Sequence, residues 1–304
     1  MENFREIGRR VSNWGRWGDD DERGTLNLVT PDRLVAAAAL IRTGKVFDLG
    51  IPFDRHGPQP GSNRFNPIRL MAETAAEEVS TGAIRWADDY VFMALQGASQ
   101  WDALAHVYYD DHLYNGFAAS YVTTHGAERN SIEKIAKGVT GRGVLLDIAR
   151  LRDVQWLGAG EVVSPDELDA AAVRQGVTVA PGDIILIRTG WWKKFAVERD
   201  AGAWFDGEPG IGLAAIDWLH DHEAAAVAVD NWAVEVLPGE APEEPMGVHM
   251  VLIRDMGMTL GEIFDFEELA DDCSADGVYE FFFCAPPIKF TQAVGSPINP
   301  LAIK

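Results

Sequence analysis

Apolar runs broken by glycine, proline and helix-capping residues divide the chain into short segments. Thr30-Pro31-Asp32 offers a threonine N-cap followed by proline at the first helical position, so a helix is expected to run through Arg42 and stop at Gly44. Residues 45–50 read as a strand. Residues 53–66 form a loop rich in Gly, Pro, Asn and Arg, a composition typical of loops that line sites. The apolar run 90–95 predicts a buried strand.

From Gly143 onward the pattern is regular α/β. Residues 144–148 are an apolar strand, Ser164-Pro165-Asp166-Glu167 opens a helix that ends at Gly176, and residues 184–188 are a buried strand. A helix over 213–222, with apolar residues at Leu213, Ile216 and Leu219, precedes a short buried strand at 225–229. Asp230 and Asn231 stand at its end, where open α/β sheets bind ligands. Residues 238–245 are an acidic, proline-rich loop with the look of a flap or an oligomer contact. Residues 248–253 and 258–264 bracket an Arg-Asp-Met-Gly turn, placing His249 and Glu262 on neighbouring elements. A helical turn at 267–270 and an apolar strand at 278–283 complete the pattern. One domain spanning 1–304 is the simplest organisation.

Composition narrows the function classes. A length of 304 residues with 47% hydrophobic and 10% aromatic residues supports a full core. Asp and Glu outnumber Lys and Arg by 47 to 26, giving a net charge of −21, and such a field repels phosphate backbones, so no nucleic-acid partner is expected. Two cysteines cannot form a disulfide framework. The N-terminus lacks a signal-like apolar core and no window reaches membrane-span length, so the expectation is a cytoplasmic protein with no membrane partner.

The chemistry concentrates in Leu-Gln-Gly-Ala-Ser-Gln-Trp-Asp-Ala-Leu-Ala-His, residues 95–106. Asp102 and His106 stand four apart, and the amides Gln96 and Gln100 precede the aspartate by six and two. A carboxylate, an imidazole and two amides at a strand end suit a divalent metal or acid–base chemistry. A solvated turn with a capping aspartate would show the same local spacing; the second cluster, His249 and Glu262, favours a site. Residues 108–121 carry five aromatics, among them Tyr121, fit either for an aromatic substrate or for an interface. Trp14 and Trp17 lie in an irregular segment, 12–28, and must pack on their own core or on a pocket mouth.

These segments, taken with the Gly-Asp-Ile-Ile-Leu-Ile-Arg-Thr-Gly-Trp stretch at 182–191, resemble the putative cyclase or kynurenine formamidase-like family of metal-dependent hydrolases, which includes isatin hydrolase. The resemblance covers roughly residues 45–304, with 1–44 as a subfamily addition. It implies a swivelling β/β/α fold, an α/β class with a mixed sheet and flanking helices.

The family signature is His-x-Gly-Thr-His-x-Asp-x-Pro-x-His; in register this chain offers Gln96, Ala98, Ser99, Gln100, Asp102, Leu104 and His106. In the formamidases the two lost histidines bind one metal, the aspartate and a late glutamate bridge to a second, and a late histidine also holds that second metal. The resemblance therefore implies one intact site on Asp102, His249 and Glu262, with His106 as the acid–base group and Gln96 and Gln100 as further candidate ligands. Neutral amides are weaker zinc ligands than imidazole, so a single zinc or manganese ion is expected. The implied activity is hydrolysis of a small amide, lactam or lactone by a homo-oligomer. Trp17, Trp101 and Tyr121 are candidates for packing the small-molecule substrate. Cyclisation or elimination without hydrolysis, and a non-catalytic role, are the alternatives.

Overall fold

The computed structural model describes residues 3–61, 64–74, 83–241 and 246–304. Parts of the expected 53–66 and 238–245 loops, residues 62–63 and 242–245, therefore lie outside the described residues. The strands, in chain order, are β1 (Val46–Asp48), β2 (Ile68–Glu73), β3 (Asp88–Phe92), β4 (Gln100–Asp102), β5 (Val122–Thr123), β6 (Gly126–Ala127), β7 (Thr140–Asp147), β8 (Val162–Val163), β9 (Ile184–Arg188), β10 (Gly210–Ile211), β11 (Ala226–Val229), β12 (Thr259–Glu262), β13 (Glu280–Cys284), β14 (Gly295–Pro297) and β15 (Leu301–Ile303).

Nine of them form one curled mixed sheet in the order β1-β15-β13-β7-β9-β11-β12-β4-β14. The central pairs β7/β9, β9/β11 and β11/β12 are parallel, and the flanking pairs are antiparallel. The central strands are continuous apolar runs because helices and loops cover both faces. Alternation splits their side chains between two cores. Ile185, Ile187, Val227 and Val229 enter one cluster, and Ile184, Leu186, Ala226 and Ala228 enter the other. The class is the expected one, mixed α/β with flanking helices.

Local signals explain the better-placed helices. In the helix Pro165–Gln175, Ser164 and Glu167 form a reciprocal capping box, and Gly176 closes it at φ 66°. The helix after Thr30 spans only Pro31–Ala38, and the Thr30 side chain makes no capping bond, so the proline sets its start without the expected cap. The turn expected at 267–270 continues to Asp276. The helix Phe4–Val11 buries Phe4, Ile7 and Val11 in the first cluster, so the N-terminal segment is part of the main core.

The apolar run 90–95 is a correction. β3 does not enter the main sheet: it pairs only with β2, and every residue of β3 is exposed. Ile68, Leu70, Tyr90 and Phe92 share one face of this hairpin, while Arg69 and Asp89 are among those on the other. A short apolar run carries no information about which strand it will pair with.

Candidate metal centre

β4 has three residues and is hydrogen-bonded on both edges, with Gln100 opposite Glu262 and Pro297, and Asp102 opposite Gly295. The period of two sends Gln100 and Asp102 to one face and Trp101 to the other. Trp101 is 0% exposed. Its indole N–H donates to the Ala285 carbonyl at 2.9 Å, and its ring packs edge-on against Phe264 at 5.6 Å. The expectation that Trp101 packs a substrate is therefore corrected: its strand phase makes it a core residue.

Glu262 ends β12 on the same face as Leu260, and a helical turn, Gly247–His249, brings His249 over it. Residues Met250–Met256 continue that turn as a π-helix, a form often found at functional sites. Glu235 fixes His249 in place. It accepts from the His249 backbone N–H at 2.8 Å, from the Val248 N–H at 3.1 Å, and pairs with His249 Nδ1 at 2.6 Å. Nε2 is thereby left facing Glu262 Oε1 at 3.1 Å and Asp102 Oδ2 at 3.9 Å. The other Glu262 oxygen accepts from Gln100 Nε2.

Asp102, His249 and Glu262 each offer one donor atom within 4.8 Å of the others, and all three are buried. Among the described residues neither oxygen of Asp102 has a hydrogen-bond partner, and the same holds for Gln100 Oε1 and Gln96 Nε2. Burying a carboxylate without partners is costly, and one imidazole with two carboxylates is a donor set that zinc or manganese accepts. The residues present thus fit a divalent cation.

The electrostatics follow from the same crowding. Burial, reinforced by Glu262, pushes the Asp102 carboxyl well above its usual range. Burial opposes charge on His249, but its hydrogen bonds to Glu235 and Glu262 win and raise it to about 10. His106 Nε2 lies 3.7 Å from Asp102 Oδ1, and burial lowers this imidazole to about 4, with the Arg64 guanidinium acting in the same direction and Glu262 opposing. Glu208, whose carboxylate accepts from the Trp232 and Ala233 N–H groups at 2.7 and 2.8 Å, is also raised by burial.

The chain thus brings Asp102, His106, His249, Glu262 and Gln100 together. Tyr121 packs instead against Phe117 and Arg129, and Trp17 lies under the Arg16 guanidinium. Glu235 escapes sequence reading because it meets the site from a distant loop with no motif of its own; Arg64 comes from the 53–66 loop, whose composition suits a site but does not single out the residue.

Residues 47–236 match the model of the putative cyclase family. The chain belongs to this cyclase family. Its matched stretch includes Asp102 and His106 and ends before His249. A crystal structure described as a novel cyclase is 42% identical to this family member, covering 98% of this chain and 99% of its own, with a TM-score of 0.91. Isatin hydrolase A from Labrenzia aggregata, solved with benzyl benzoate bound, is 16% identical over 89% of this chain and 97% of its own, at a TM-score of 0.63. A predicted metal-dependent hydrolase from Bacillus stearothermophilus is 15% identical over 86% and 98%, at 0.54. These last two share the cyclase fold. A search of curated proteins finds no match.

Proposed function

We propose that this cyclase-family chain is a metal-dependent hydrolase of a small amide, lactam or lactone. The observation that carries the reading is the Asp102 carboxylate, buried beside His249 and Glu262 and without a hydrogen-bond partner among the described residues. Asp102, Glu262 and His249 Nε2 would hold one zinc or manganese ion, which when bound supplies the Lewis acidity that activates water and polarises a carbonyl. Glu235 accepts the hydrogen bond from His249 Nδ1–H and so leaves Nε2 as the ring atom offered to the ion. Gln100 hydrogen-bonds Glu262 and steadies it.

His106 is the acid–base group. Its depressed pKa keeps it neutral near pH 7, with a lone pair free to take a proton from the attacking water and return it to the leaving group. The relatives described as hydrolases support the same class of reaction. A cytoplasmic homo-oligomer is the expected setting.

Elemental analysis of protein purified without added metal should find about one ion per chain. A screen of amides, lactams and lactones with mass detection should then find a product heavier by one water. A product of unchanged mass would point to cyclisation; a chain that neither holds metal nor turns over any of these substrates would overturn the reading.

A further inference from the structure

Arg64 reaches the site from the 53–66 loop, with its side chain 20% exposed, and its surroundings differ from those of the chain's structural arginines. Arg188 is tied down on several sides, to Glu267 at 2.7 and 3.0 Å and to Asp147 at 2.8 Å. Arg152 reaches Glu167 and Glu161 at 2.7 Å each. These are full-strength, charge-assisted contacts. Every polar contact of the Arg64 side chain among the described residues is long by comparison: 3.4 Å to the Gln96 carbonyl, 3.4 Å to His106 Nε2 and 3.7 Å to Glu262 Oε2.

The loose fit is not a loose side chain. The guanidinium lies 4.9 Å over the Trp232 ring, and that indole packs edge-on against Phe205 at 4.8 Å and directs its N–H to Gln59 Oε1 at 3.4 Å. The indole face holds the guanidinium carbon in place, while its terminal N–H groups face Gln96, His106 and Glu262 in the site. A guanidinium carries five N–H donors, and three long contacts do not satisfy them. Pairing with Glu262 does not account for the position either, because Glu262 Oε2 already accepts from Gln100 and Arg64 stays 3.7 Å away. In a chain of net charge −21, recognition of an anion needs a local cation, and Arg64 stands beside both His106 and the triad.

We propose that Arg64 grips a carboxylate on the substrate, so the site takes amides, lactams or lactones that carry an acid group near the bond to be cleaved. A planar fork held by stacking matches a carboxylate in a two-point contact. This inference rests on the hydrolase reading for the reaction and on Arg64 alone for the specificity.

The test is calorimetry with benzoate and its neutral counterpart benzamide, on wild type, Arg64→Met and Arg64→Lys, with zinc binding measured in each. Expected is benzoate affinity falling about 10- to 100-fold in Arg64→Met, the usual worth of a hydrogen bond to a charged group. Arg64→Lys should recover part of it, and benzamide affinity and zinc stoichiometry should hold. Equal benzoate binding by wild type and Arg64→Met, no benzoate binding by wild type, or a parallel loss of benzamide would overturn the proposal. So would an equal loss of kcat for neutral and acidic substrates in Arg64→Met, which would make Arg64 a stabiliser of the developing oxyanion. Arg64-dependent benzoate binding in a protein without metal would support the carboxylate site while ending the hydrolase reading.

Discussion

Two aspartates, both completely buried, lie on different parts of the same sheet and live in opposite surroundings. Asp230, at the end of β11 in the parallel centre, accepts from the Thr189 N–H and hydroxyl and from the Gly190 N–H, at 2.6 to 2.8 Å. Asp102, on β4 at the antiparallel flank, has no hydrogen-bond donor on either oxygen among the described residues, only the imidazoles of His106 and His249 at 3.7 and 3.9 Å. The first carboxylate is used by the fold: it ties the start of the helix Trp191–Glu198, which follows β9, to the end of the neighbouring strand β11. The second contributes nothing to the fold that the described residues reveal. Burial therefore does not distinguish the two carboxylates; the supply of donors does.

The contrast can be broken most directly at Asp102. Replacing it with Asn should abolish stoichiometric metal binding and cut turnover by at least about 10⁴-fold, while the chelator-treated variant melts no lower than chelator-treated wild type, because a buried carboxyl that burial already holds away from its charged form gives way to an amide of the same shape. Lower melting of the variant without metal would show that the carboxylate has a structural partner after all.

His106→Asn comes next. Turnover should fall by roughly 10²–10⁴-fold with metal content unchanged. Loss of metal in that variant would make His106 a ligand. At Asp230 the expectation reverses: Asp230→Ala should leave metal stoichiometry intact and lower unfolding free energy by about 2–5 kcal/mol, read by urea denaturation, since three buried donors are orphaned. Glu235→Gln should weaken metal binding by about 10- to 100-fold through the orientation of His249, as measured by competition with a chelator.

The smallest effect is on pH dependence. In chelator-treated protein His106 titrates near 4, below the ordinary histidine value of 6.5, so the unfolded chain binds the extra proton between those values. Its contribution to stability is intact above about pH 6.5 and is lost as pH falls toward 4. His249, raised to about 10, has the opposite sign: its contribution is present below about pH 6.5 and is lost as pH climbs to 10. Urea midpoints across pH should show His106→Asn flattening the acid limb alone.

Legibility in the sequence tracked how local each signal is. β9 and the Pro165–Gln175 helix were readable because an unbroken Ile-Ile-Leu-Ile run and a Ser-Pro-Asp-Glu cap specify them within a few residues. Asp102, His249 and Glu262 stand out in the sequence as two separate polar clusters, and only the resemblance to a family motif joins them into one ligand set. Trp101 was misplaced because a strand's phase is set by its partners, and Glu262 and Gly295 are far away in the chain. Glu235 leaves no trace, since an acid beside a distant histidine has no sequence spacing to read, and Arg64 is marked only as part of the Arg-containing 53–66 loop, its place on a distant indole being invisible there.

The brevity of β4 has a consequence for how this protein can change. With three residues clamped between two neighbours, adding or deleting a single residue there would exchange the indole and the carboxylate, drowning a charge among phenylalanine rings and pushing a tryptophan into the polar pocket. Length variation is therefore closed to this strand, while replacement in phase is open: Gln100 occupies its position without disturbing the ladder. Evolution at this site is confined to swapping side chains on a fixed frame, and any new chemistry must be reached one substitution at a time.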